Sequence, residues 1–331
     1  MALLSICIPT YNREAYLVDT IMSIVNQQET DIEIIISDNA STDNTHEKIL
    51  QLQKKIPFLH YYRNKENLGA DINFLNAVDK ANGKYCWILG SDDHINVDSI
   101  SLLRSQIEKY NADIIIASRI NCDISMQVLY TQYPLKFEND KFIKLHDNES
   151  IKYYLENAID IFAIFPYLSN FVFRRDLWNN IKCDDNFIGG LYIHAFKILN
   201  IIQNGCSLLY MKYPIVKTRL GNDAFKENMA QRILIDVAEY YKLSKIFKDK
   251  EIQCKMLDTA KKTKHFTILE FCKSLIDNPE YTQQFIMYTK LYKYNPYKIL
   301  LLKIGKYTSF RVITFLIRLT NKILKILGIK K

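Results

Sequence analysis

The sequence predicts an α/β protein built on an open, mainly parallel sheet flanked by helices, followed by a helical C-terminal extension. Three observations predict it. Short apolar runs alternate with helical periodicity through the first 120 residues. Polar clusters follow the runs, where open α/β sheets bind their ligands. From Ala224 onward the pattern is helical only.

The strand candidates are Leu3–Ile8, Ile32–Ser37, Leu59–Arg63, Tyr85–Leu89 and Asp113–Ser118. Between them, helical spacing marks Glu14–Gln27, Asn44–Lys54, Asp71–Asn82 and Asp98–Tyr110. Such βαβα alternation predicts parallel strands covered on both faces. The stretch from 121 to 222 is less regular. It holds an aromatic-rich segment (Ile161–Phe173), a helix start at Arg174–Ile181, a loop through Asp184–Gly190 and a strand at Ser207–Lys217. Helices are expected at Arg232–Phe247, Gln253–Leu275, Tyr281–Leu291 and Tyr297–Leu327, and a domain boundary near Asn222 separates residues 1–222 from 223–331.

With 48% hydrophobic and 24% charged residues, the chain has the composition of a folded protein rather than a disordered one. Gly and Pro, at 9 and 7, are too scarce for collagen-like or linker-rich sequence. The seven cysteines form no C-x-x-C pair, which excludes zinc-ribbon and disulfide frameworks and predicts free thiols in a reducing compartment. No signal peptide is expected, and no apolar run reaches the roughly 18 residues of a transmembrane helix. The net charge of +8 belongs to the tail: Tyr281 to Lys331 carries eleven Lys and Arg and no acidic residue, leaving 33 basic against 36 acidic residues before it. That argues against a nucleic-acid-binding body and for an anionic partner of the tail.

Gly90-Ser91-Asp92-Asp93 directly follows Tyr85–Leu89. Adjacent carboxylates repel unless a cation or donors compensate, and an oxygen-rich pair suits Mg2+ or Mn2+ held partly by a substrate diphosphate. A helix N-cap before Asp98–Tyr110 also accounts for it. Three further clusters share the strand-end register: Pro9 to Arg13, Ser37 to Asp43, and Asn64 to Asp71. Tyr11 can stack on a base, Asp38 can accept from a pyrimidine N3–H or amino group, and Gly69 permits close approach of phosphate to a helix start. Capping and turn chemistry explains each cluster singly; four in one register point to a ligand crevice.

The runs SICIPTYNREAYL, ISDNASTDNT and NLGADINFLNAVDKANGKYCWILGSDD resemble glycosyltransferase family 2, and the resemblance narrows to abequosyltransferase-type members that build O-antigen side branches. It continues through YLSNFVFRRDLW, YIHAF and RLGNDAFKENMAQRILID, about three quarters of the chain. The resemblance implies a GT-A nucleotide-diphospho-sugar transferase fold. By position it implies a nucleoside pocket of Pro9, Tyr11, Arg13 and Asp38. It assigns Asn67, Gly69 and Asn73 to the ribose-phosphate side and makes Asp93 the main metal ligand, with Asp92 beside it. Ser91 stands where many relatives have another Asp, which leaves Asp92 and Asp93 to share the ion.

Many family members carry a Glu-Asp pair about a hundred residues later, with the Asp as base. The corresponding segment here, Gly189 to Phe196, has no acidic pair. The unperturbed pKa of a histidine, about 6.5, would suit His194 to general-base work; a helix histidine packed under the sheet fits equally. Asp184 and Asp185 are the fallback, and a retaining reaction is the alternative if neither is a base. Arg219 is expected to reach the diphosphate as a bidentate partner, or else to open a surface turn. In the tail, Lys298, Lys303, Lys306, Arg311, Arg318, Lys322 and Lys325 interrupt Ile, Leu, Phe and Val. That composition fits an interfacial helix on anionic lipid, with burial against the catalytic domain or a partner subunit as competing explanations.

The expected function is sugar transfer from a nucleotide-diphosphate donor, a dideoxyhexose such as abequose among the candidates. The expected acceptor is a polyprenyl-diphosphate-linked oligosaccharide of O-antigen or capsule, at the cytoplasmic face of a bacterial membrane. A nucleotidyltransferase and a sugar-nucleotide-binding scaffold are the alternatives.

Overall fold

The computed structural model describes residues 2–164, 167–222, 228–263, 267–294 and Leu302. The chain divides into two compact units, Met1–Asn222 and Asp223–Lys331.

The first unit begins β1 (Leu4–Thr10), α1 (Leu17–Val25), β2 (Ile32–Asp38), α2 (Thr45–Gln53), β3 (Leu59–Arg63), α3 (Ala70–Asp79), β4 (Tyr85–Ile88). It continues β5 (His94–Ile95), α4 (Ser99–Tyr110), β6 (Ile114–Cys122), β7 (Val128–Gln132), β8 (Lys141–Leu145), α5 (Asn148–Glu156). It ends β9 (Phe171–Arg174), α6 (Arg175–Asn180), α7 (Ile193–Gln203), β10 (Cys206–Arg219). The strands form one sheet in the order β3-β2-β1-β4-β9-β6-β10-β5, with β7 added on β6 and β8 on β10.

Every residue of β1 and β2 is buried, as inner strands covered on both faces require. On one face Ile6, Ile8, Ile34 and Ile36 join Ile21 of α1, Ile49 of α2 and Leu103 of α4 in a single core. The alternate residues face α3, where Ser37 Oγ donates to Asn73 Oδ1 at 2.7 Å.

Strands β1 to β4 are parallel to one another, and so are β6 and β10 to each other. The expectation of a mainly parallel sheet holds within these two groups, between which β9 enters antiparallel to both β4 and β6. Two antiparallel steps leave β4 and β6 pointing the same way. The carboxyl ends of β1, β2, β3, β4 and β6 therefore share one edge. Strand β10 runs the length of β6, ending with Arg219 opposite Cys122.

The second unit packs α8 (Met229–Ser244) against α9 (Lys250–Lys262), α10 (Ile268–Asp277) and α11 (Thr282–Leu291). The expected helix Gln253–Leu275 is two helices. Thr267 caps the second, its hydroxyl accepting from Glu270 N at 3.3 Å, the start of a Thr-x-x-Glu capping pattern. The expected tail helix Tyr297–Leu327 lies outside the described residues except for Leu302, which is buried. No described helix is long and apolar enough to cross a membrane.

Glu33 ties three strands together from the α3 face. It accepts from Ser5 Oγ and Asn82 N at 2.6 Å each and from Gly83 N at 3.0 Å. Gly83 is obligatory there, since a Cβ would stand 2.5 Å from Ser5 Oγ and 2.8 Å from Ser5 N. Burial alone would raise the Glu33 pKa, but these donors outweigh it and hold the carboxylate below its ordinary range. A depressed native pKa gives stability that is present above the ordinary carboxylate range and lost as pH falls through the native value. Glu33→Gln is expected to cost about 1.5–3 kcal/mol at neutral pH. In denaturant titrations that difference from wild type should shrink towards acid pH; a constant difference would rule out the ionised Glu33 as its source.

Candidate active site at the carboxyl edge of the sheet

Beyond β4 the chain turns through Gly90-Ser91-Asp92-Asp93. Asp93 has no exposed surface. Its Oδ2 accepts from Ser169 Oγ at 2.5 Å and from Tyr167 Oη at 3.2 Å, and its Oδ1 from Arg219 N at 3.1 Å. Burial first, and the Asp92 charge second, push its pKa up to about 7 despite these donors. Ser169 also takes the Gly90 N–H at 2.9 Å, while its carbonyl accepts from Trp87 Nε1 at 2.7 Å. A Cβ on Gly90 would meet Asp93 Oδ2 at 2.8 Å and Asp92 Oδ1 at 3.3 Å, so only glycine leaves room for the pair.

Asp92 is the outer carboxylate. Arg13 Nη2 lies 4.0 Å from its Oδ2, to which Asn222 Nδ2 donates. Arg219 is buried and committed to the protein. Its Nε donates to Asp92 O at 3.1 Å and its Nη1 to Ile124 O at 2.5 Å, and its guanidinium lies 4.7 Å from the Tyr16 ring centre. It is thus part of the frame of the Asp pair, not a surface turn.

The clusters expected to form the nucleoside pocket lie along the same edge, much of their polarity already paired. Pro9 is inside β1, beyond the last β1–β4 pair at Cys7 and Ile88, where its missing N–H costs no bond to β4. Tyr11 is exposed. Asp38 has no exposed surface: it accepts from Ser41 N at 2.9 Å, Ser41 Oγ at 2.5 Å and Tyr61 Oη at 2.6 Å. Asn39 donates to Asn67 Oδ1 at 2.7 Å and to Gly69 O at 3.2 Å. Asn73 joins α3 to both inner strands, donating to Thr10 O at 3.3 Å and Ser37 O at 2.9 Å. Gly69 precedes α3 with φ 83°, a left-handed value that favours glycine. Ser91 is buried beside the acidic pair.

His194 sits in the first turn of α7, buried, its ring edge-on to Phe74 at 5.7 Å and 5.9 Å from that of Tyr192. Asp71 positions this turn: its carboxylate accepts from Gly189 N, Leu191 N and Ile193 N at 2.8, 2.9 and 3.1 Å. Asp185 is exposed and begins a 3-10 turn that Asp184 caps.

A family model described as glycosyl transferase family 2 matches residues 5–180. The abequosyltransferase RfbV of Salmonella typhimurium is 40% identical over 260 residues, 76% of this chain and 78% of that protein. The chain belongs to glycosyltransferase family 2. A second family relative, the GalNAc(5)-diNAcBac-PP-undecaprenol beta-1,3-glucosyltransferase of Campylobacter jejuni, is 29% identical over 61% of this chain and 66% of its own length. The fold is that of a solved mannosyltransferase from Pyrobaculum calidifontis, PcManGT, in complex with GDP-Man and Mn2+. The TM-score is 0.58 at 15% identity, over 97% of this chain and 87% of that one. The protein is accordingly a glycosyltransferase with a GT-A fold, and neither the nucleotidyltransferase nor the scaffold reading is favoured.

The family motif predicted the acidic pair but not what holds it. Ser169 and Tyr167 stand in the YLSN run without any chemical signature of their own. Among the described residues no group of three or more His, Cys, Asp or Glu could hold a metal ion, so a cation here would need substrate oxygens as well. The acidic pair fits such sharing: Asp93 is fixed and under-compensated, and Asp92 is the more accessible. Ser169→Ala removes one donor from Asp93 and one acceptor from Gly90 N, while Gly90→Ala pushes on both carboxylates. Each variant should stay folded by circular dichroism and lose at least about tenfold in turnover, equivalent to about 1.4 kcal/mol of barrier. Wild-type turnover in both would show that the Asp93 position is not critical.

Proposed function

We propose that this glycosyltransferase moves a sugar from a nucleoside diphosphate donor to a polyprenyl-diphosphate-linked oligosaccharide, with Mg2+ or Mn2+ held by Asp92, Asp93 and the donor diphosphate. The observation that carries the reading is the buried, donor-held Asp93 next to the more accessible Asp92 at the end of β4. A bound cation would offset the charge that builds on the departing nucleoside diphosphate. The likeness to the abequosyltransferase supports a dideoxyhexose donor, and the undecaprenol-linked name of the second relative supports the lipid acceptor.

Each residue has a role on this reading. The exposed Tyr11 ring stacks on the base at the end of β1. Asp38, enclosed by Ser41 and Tyr61, shapes the nucleoside pocket from behind rather than contacting the base. Pro9 forms its floor, and Arg13 adds positive charge on the diphosphate side. Asn67 and Asn73 set the loop before α3, where Gly69 lets phosphate approach the helix N-terminus. Ser91 lines the same side. Arg219 contributes a fixed charge and its backbone N–H to the Asp pair. His194 is the proposed base and Asp185 the exposed alternative.

Binding and turnover separate these roles. In a thermal-shift panel of UDP-, GDP-, CDP- and dTDP-sugars, one donor class should stabilise the protein in a concentration-dependent, Mn2+-enhanced way. Asp93→Asn should abolish the Mn2+ enhancement and the transfer. His194→Ala should leave donor binding intact and cut turnover by about 10²–10⁴. Full transfer in excess EDTA would remove the metal, and normal activity per folded His194→Ala molecule would return that side chain to packing.

The basic tail, on the same reading, holds the protein to an anionic membrane on its cytoplasmic side, each Lys or Arg near the surface contributing about 1 kcal/mol. Full-length protein should sediment with phosphatidylserine vesicles, less so at high salt as screening tightens. Replacement of Lys298, Lys303, Lys306 and Arg311 by Gln should abolish this; unchanged sedimentation would dismiss the tail as the membrane contact.

A further inference from the structure

Arg119, in the carboxyl half of β6, is a buried cation that the roles above leave unused. Its guanidinium carbon lies 4.1 Å from the Phe162 ring centre and 4.0 Å from that of Tyr167. Nε and Nη2 both donate to Gln132 Oε1, at 3.2 and 2.8 Å, and Gln132 is held in turn by donating to Asp160 Oδ2 at 2.5 Å. The planar group is thus fixed on two nitrogens and by aromatic rings. The third nitrogen, Nη1, is buried with no hydrogen-bond partner among the described residues. A buried charged donor left unpaired is costly, and the rest of the group is arranged so that it cannot swing away.

A second buried atom without a partner among the described residues lies on the turn that precedes β9. Asn170, fully buried, donates Nδ2 to Ala117 O at 3.1 Å, two residues before Arg119 on β6. Its Oδ1 also lacks a partner among the described residues. One open donor and one open acceptor suit a hydroxyl, which both accepts and donates. A phosphate oxygen would leave the Asn170 acceptor unmet.

We propose that Arg119 determines sugar specificity by donating a hydrogen bond from Nη1 to a hydroxyl of the sugar being transferred, with Asn170 Oδ1 accepting from the sugar. This rests on the donor reading given above. Position along the sheet supports it. The proposed nucleoside residues lie at the ends of β1 to β3 and Asp92 and Asp93 follow β4. A donor laid along this edge with its diphosphate at the Asp pair carries its sugar on towards β6. Tyr167 joins the two places, its hydroxyl on Asp93 Oδ2 at 3.2 Å and its ring against Arg119.

The test uses full-length protein with Mn2+, as wild type, Arg119→Lys and Arg119→Met. Calorimetry compares the free nucleoside diphosphate with the sugar nucleotide that stabilises wild type most in the panel. Nucleoside diphosphate affinity should stay within about twofold, while sugar-nucleotide affinity falls about tenfold or more and discrimination between sugars on the same nucleotide narrows. Arg119→Lys retains the charge beside Asp93 but not the fork, so it should show the same split even if Arg119→Met folds poorly. Equal weakening of both ligands would make Arg119 a diphosphate contact and overturn the assignment. So would unchanged affinity for both, or an effect confined to acceptor KM. Failure of wild type to bind any sugar nucleotide would strike the donor reading instead.

Discussion

The catalytic half of this molecule is arranged around one carboxylate that water does not reach. An ionised group in that position costs several kcal/mol unless donors surround it. Asp93 obtains them from Tyr167, Ser169 and the Arg219 amide, which lie 74, 76 and 126 residues further along the chain. Bringing those segments to the end of β4 accounts for the departures from a simple parallel sheet. Strand β9, inserted antiparallel between β4 and β6, delivers the turn that carries Ser169. Strand β10 has to run the whole length of β6 to set Arg219 beside the Asp pair.

The edge proposed for the nucleotide follows a different rule. Its polar side chains are mostly satisfied by one another before any ligand arrives. Asp38 is closed by Ser41 and Tyr61, Asn39 by Asn64, Asn67 and the backbone of Leu68 and Gly69, and Asn73 by both inner strands. A crevice built this way pays its ordering cost during folding, and binding need not pay it again. What it leaves for a ligand is an exposed ring, the N-terminus of α3 and the Arg13 charge. Asp71 extends the same economy across the sheet face, since its capping of the turn before α7 fixes where His194 stands.

Much of this was legible in the sequence, and the exceptions have physical causes. The first four strands and the helices between them announce themselves through period and length, and the acidic pair through its place after β4. Helix α7 was hidden because nine of its eleven residues are buried, which erases the amphipathic period. Strand β9 was absorbed into the aromatic run Ile161–Phe173, where period two and simple hydrophobicity look alike. The break between α9 and α10 could have been read from Thr267 and Glu270. Ser169 could not, because a serine gains its importance only from the carboxylate it meets. Arg119 did leave a signal: a lone cation in the apolar strand IIIASRINC needs a reason to be buried.

The two adjacent aspartates divide the labour of holding charge. Arg219 spends its donors on Asp92 O and Ile124 O, so it acts on the acidic pair chiefly as a fixed field and as one backbone N–H. Arg119 is near enough to lower the Asp93 pKa, yet burial and the Asp92 charge still hold that pKa near 7. Such a site is incompletely compensated by the protein alone. Full compensation by side chains would leave nothing to gain from a cationic ligand, since binding is favoured only to the extent that the bound state relieves what the free state lacks. The inner carboxylate, locked by Ser169, supplies geometry, and the outer one supplies access. On the proposed metal reading, a cation that binds only the folded chain would stabilise it, and the charge that makes Asp93 costly to bury is what would draw that cation in.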